Sequence, residues 1–193
     1  CKACLEAKIA TEIKTVDASG FQGNLVGDFA ANLMDDTVTV TGGALITDAI
    51  TALYTTEATY APLAVSVDTL NVSMIEATTK TLTLNLAGVT GTTLLSTTVG
   101  AADTVNYTNV SDEVVRVISG AADSVVQATL ADATGTSDTL TFELKGATGS
   151  SITDAINLRA DDIETVTIKT TSAESVDLSQ FAMTTAGEVM ALT

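Results

Sequence analysis

Histidine and tryptophan are both absent from this 193-residue chain. Without histidine, the usual general base is missing, and a serine or cysteine nucleophile has no imidazole to activate it. Without tryptophan, and with aromatics at 4%, a glycan cleft would lack the platforms that hold sugar rings. Paired carboxylates of the glycosidase kind are abundant enough, but the missing platforms weigh against them. There is no glycine-rich loop followed by Lys-Ser/Thr and no dinucleotide fingerprint. The chain reads as a non-enzyme.

Cations are scarce too. Eight Lys plus Arg stand against 24 Asp plus Glu, a net charge of −16. Phosphate binding needs clustered cations, so nucleic acid is excluded as a partner. Cysteine occurs twice, at Cys1 and Cys4. That is no disulfide framework, and zinc would need two further ligands. No stretch approaches the roughly 18 apolar residues of a spanning helix, so no transmembrane segment is expected. Proline occurs once, at Pro62.

What the chain does have is threonine, at 36 positions, arranged in a recurring phrase. A charged residue is followed by Thr or Ser, then Val or Leu, then any residue, then usually an apolar one. It begins at Lys14, Asp36, Asp68, Lys80, Asp103, Asp123, Asp138, Glu164 and Glu174. Alternation at period two is the signature of a half-buried strand, because successive side chains leave opposite faces of the pleat. One phrase arrives about every 20 residues, the spacing of repeat architectures. Small branched side chains suit stacked layers in which a residue type meets itself on the next rung.

Longer echoes support duplication. Residues 81–93 match 139–151 at seven of thirteen positions, Ile46-Thr-Asp-Ala-Ile50 recurs at 152–156, and Val16–Phe21 is answered by Val176–Phe181. The predicted fold is therefore mainly β, a parallel β-solenoid-like stack of short degenerate repeats, with β-sandwich modules as the alternative. Residues 1–62 read as a mixed segment with a few short helices, at 1–13, 28–34 and 46–54, and residues 63–193 as the repeat region. The helix over 1–13 rests on Leu5, Ile9 and Ile13 at helical spacing. The last residues read as mid-strand, as expected of a piece of a longer chain. Asn-x-Ser/Thr tripeptides at Asn71, Asn106 and Asn109 are frequent by chance in such a composition.

Phrases such as 15–25, 138–146 and 163–168 resemble the repeats of bacterial surface-layer proteins and related large secreted repeats-in-toxin-type proteins of Gram-negative bacteria. The resemblance covers most of residues 14–193 and is one of style. It implies a structural segment that self-assembles into a lattice on the outer face of the envelope, with calcium, tethered to lipopolysaccharide. Calcium in the repeats-in-toxin class sits in Gly-Gly-x-Gly-x-Asp turns, and here Gly42-Gly43 and Gly146-Ala-Thr-Gly149 lack the aspartate. The expectation of calcium therefore rests on acidity and resemblance. Candidate ligands are the paired turn acids Asp35 with Asp36, Asp112 with Glu113, and Asp161 with Asp162; the competing role for each pair is to cap a turn. An adhesin or fibre module is the alternative function, since rigid β stacks serve both.

Overall fold

A computed structural model describes residues 4–45, 47–76, 78–111, 113–120, 123–145, 156–160, 163–170 and 189–192. The chain winds first through β1 (Cys4–Ile9), β2 (Thr15–Asp17), β3 (Asn24–Phe29) and β4 (Thr39–Thr41). Two turns of three strands follow: β5 (Ala49–Tyr54), β6 (Ala58–Tyr60) and β7 (Leu63–Val65), then β8 (Thr69–Met74), β9 (Thr81–Asn85) and β10 (Val89–Thr90). Beyond these come β11 (Leu94–Val99), β12 (Thr104–Val110), β13 (Val114–Gly120), β14 (Ser124–Leu130), β15 (Thr139–Leu144), β16 (Ile156–Ala160), β17 (Thr165–Thr170) and β18 (Val189–Leu192).

The strands form three faces of a parallel β-solenoid. One face has nine strands in the order β1-β3-β5-β8-β11-β13-β15-β17-β18, a second has five (β16-β14-β12-β9-β6), and a third has four (β10-β7-β4-β2). Every strand pairing among the described residues is parallel. Among the described residues the third face ends at β10. From β11 to β17 the described strands alternate between the other two faces.

Register explains the core. On the nine-stranded face Ile50, Leu70, Leu95, Val115, Phe142 and Ile168 lie level on successive rungs, each at most 1% exposed. On the five-stranded face Leu82, Val105, Val126 and Leu158 form a second inward column. Each such side chain contributes about 1.5–3 kcal/mol through burial, and none can be buried by its own rung alone. Repetition in sequence thus becomes a shared interior.

The three helices expected in the first third are strands and turns instead. Residues 4–9 form β1, Ala49–Tyr54 form β5, and after β3 ends at Phe29 the chain turns through Met34. A four-residue spacing such as Leu5 to Ile9 satisfies a helix stripe, but it is also a multiple of two. In β5 Ile50, Ala52 and Tyr54 are all buried, with half-buried or exposed residues between them, which is strand periodicity. Neighbouring rungs supply the backbone partners that decide the matter.

Candidate functional site

The chemistry of this molecule lies at its corners, where a chain leaving one face must turn without stranding backbone N–H groups. The residue immediately before each strand of the nine-stranded face is repeatedly an acid: Asp48, Asp68, Glu113, Asp138 and Glu164. Asp48 is fully buried. Its Oδ1 accepts the N–H of Leu25 on the rung below at 2.7 Å, and its Oδ2 accepts that of Gly43 at 2.5 Å. Its own N–H donates to Asp68 Oδ2 at 2.8 Å. The same clip recurs where Asp138 N–H donates to Glu164 Oε2 at 2.9 Å. At the corner that leads into β12 the fully buried Asp103 accepts Lys80 N–H at 2.8 Å and Glu76 N–H at 3.2 Å. These acids cap one rung against the next.

Two glycines make room for them. A Cβ on Gly42 would stand 1.9 Å from the Ser66 carbonyl and 2.8 Å from Asp48 Oδ2, and one on Gly100 would stand 2.6 Å from Asp103 Oδ2. The Gly42-Gly43 pair therefore serves a carboxylate cap.

The β13–β15 pairing sets its two leading acids, Glu113 and Asp138, two residues out of line. Val114 pairs with Thr141, so the register carries Asp138 level with Ser111, whose N–H already donates to Glu113 Oε2 at 2.6 Å. Asp138 thereby loses the donor its counterparts use, and its buried Oδ2 has no hydrogen-bond partner. A cleft of about 330 Å³ opens at this corner, lined by Ser111, Leu130, Asp132, Ser137, Asp138 and Thr139. A smaller recess of about 100 Å³ beside it shares Ser111 and Thr139 and adds Glu113 and Thr141. The lining can accept hydrogen bonds from hydroxyl or ammonium groups.

Of the expected metal ligands, Asp35 is half-buried and its Oδ1 accepts the N–H and the hydroxyl of Thr37 at 2.8 and 2.7 Å. Burial pushes the Asp35 carboxyl up, but these hydrogen bonds and nearby Lys14 outweigh it and hold the group below its ordinary value. Asp36 is exposed beside it, and Glu113 is buried in the clip to Ser111. Asp112, Asp161 and Asp162 lie outside the described residues. Among the described residues, no three acids or thiols gather as a metal cage. Cys4 is disulfide-bonded and offers no thiolate. The sequence does not single out the caps Asp48, Asp68, Asp103 and Glu164 as a group, although the leading charge of the repeated phrase marks three of them.

Two tyrosines anchor the interior. Tyr54 donates its buried hydroxyl to the Met34 carbonyl at 2.7 Å, and Tyr107 shares a hydrogen bond of 2.7 Å with Thr97. Burial pushes both phenols well above their ordinary value. On the outer surface Arg116 and Glu143, level on adjacent rungs, form an ion pair at 2.6 Å. No helix among the described residues is long and apolar enough to cross a membrane.

No family model, curated protein or solved structure matches this chain.

Proposed function

We propose that this chain is a structural segment of a self-assembling cell-surface protein, of the surface-layer type, whose rigid stack presents faces that join neighbouring copies. The observation that carries the reading is the solenoid itself, a continuous parallel stack with buried acids such as Asp48 and Asp103 capping its corners. A stack of this kind transmits shape and load along one axis, which suits a lattice component on the outer face of a Gram-negative envelope. Lipopolysaccharide is the anchoring partner that the repeat style implies.

At −16 per chain, copies repel one another, and Ca²⁺ bridging exposed carboxylates relieves that repulsion with the oxygen ligands it prefers. Light scattering of the protein, with and without a calcium chelator, tests this. Assembly should appear with calcium, dissolve with chelator and return on adding calcium. Assembly indifferent to chelator removes the calcium bridge, and no assembly under any condition removes the lattice.

The single stacking axis equally favours a fibre or adhesin module. Electron microscopy of the assembled material separates the two, sheets supporting the lattice and isolated rods the fibre.

A further inference from the structure

We infer that the five-stranded face is the surface through which two copies of this chain meet. The inference deepens the self-assembly reading and rests on it. Strands β6, β9, β12, β14 and β16 contain no aspartate or glutamate at all. The nine-stranded face carries Glu6, Asp28 and Glu143 within its strands, and the four-stranded face carries Asp17. In a chain with 24 acids, the described strands of this face hold no carboxylate.

Its outward positions, alternating with the buried columns, hold Thr81, Thr83, Thr104, Gln127 and Asn157, with Val125 among them and Arg159 exposed near one end. Two strongly acidic bodies approach at least cost where neither presents a carboxylate, because like charges across a contact are costly and desolvating an unpaired one more so. Hydroxyls and amides can donate and accept, so a ladder of them is complementary to its own copy. Depletion of charge is also what marks the centre of protein interfaces. Arg159 supplies the sign that the acid-rich rims of a second copy attract.

The size sets the strength. Five strands spaced about 4.8 Å apart, each of three to seven residues at about 3.3 Å, offer roughly 400 Å². Stable pairs bury about 800 Å² per partner, so this contact is weak and reversible by itself, as a repeated lattice contact can be.

Sedimentation of the full chain across a range of concentrations tests the assignment. The double variant Thr83→Glu with Gln127→Glu should weaken association by about tenfold or more, whereas Thr69→Glu with Thr167→Glu, adding the same charge to the nine-stranded face, should leave it nearly unchanged. Circular dichroism checks that each variant keeps its strands, and the exposed Arg159→Glu, which disturbs no packing, should also weaken association. If copies associate but the face variants do so as readily as the control, or the control weakens as much, the face is wrong while self-assembly stands. If the native chain stays monomeric with or without calcium, both readings fall together.

Discussion

A buried carboxylate that accepts two backbone N–H groups does at a solenoid corner what an N-cap does at the start of a helix. Hydrogen bonds to a charged acceptor are worth more than neutral ones, and an orphaned buried donor carries the full cost of its desolvation. Asp48→Ala should therefore destabilise the fold by about 2–4 kcal/mol, since it frees the N–H groups of Leu25 and Gly43 together. Asp36→Ala, at an exposed position, should fall within about 0.5 kcal/mol of the parent. Denaturant titration of the two variants checks the contrast, and equal losses would mean the clips do not hold the rungs. The two acids are hard to tell apart in sequence, as each stands in a turn before a strand. What separates them is a partner more than 20 residues away.

At the level of single strands, a neighbour's register decides more than local preference does. Leu5 to Ile9 fits a helix stripe and a strand face equally well, and β1 forms because β3 lies beside it in register, Cys4 against Asn24. Register also sets which charges meet. Arg116 lies level with Glu143 across the β13–β15 pair, with side chains 24% and 9% exposed. A partly screened pair of this kind has a coupling of about 0.5–1 kcal/mol. A double-mutant cycle with Arg116→Ala and Glu143→Ala should find that value at low salt and less at high salt. Zero coupling would show that the rungs are not paired in this register.

Over the whole molecule, repulsion among acids outweighs the few ion pairs, with 24 acids against eight cations. Raising salt from about 10 to about 150 mM shortens the screening length from roughly 30 to 8 Å. If relieved repulsion is worth about 1 kcal/mol, the melting temperature should rise by about 2–4 °C. Calorimetry of the chain in chelator, so that screening is not confused with calcium binding, makes the measurement. A fall with salt would mean that ion pairs dominate.

The mainly β character and the stacking were legible without coordinates, because period-two alternation at Thr81-Leu-Thr-Leu or Thr165-Val-Thr-Ile follows from the geometry of a pleat whatever surrounds it. Repetition of such phrases determined that the strands would be alike and would need one another for burial. Tertiary structure alone decided which faces they formed, that residues 4–9 and 49–54 were strands, and that Asp48 and Asp103 were caps. It also decided that the β13–β15 register would set Asp138 level with Ser111 and leave its Oδ2 without a partner. Those outcomes depend on which backbone group lies level with a side chain one turn away, and a distance of 20 or more residues along the chain carries no local trace of that alignment.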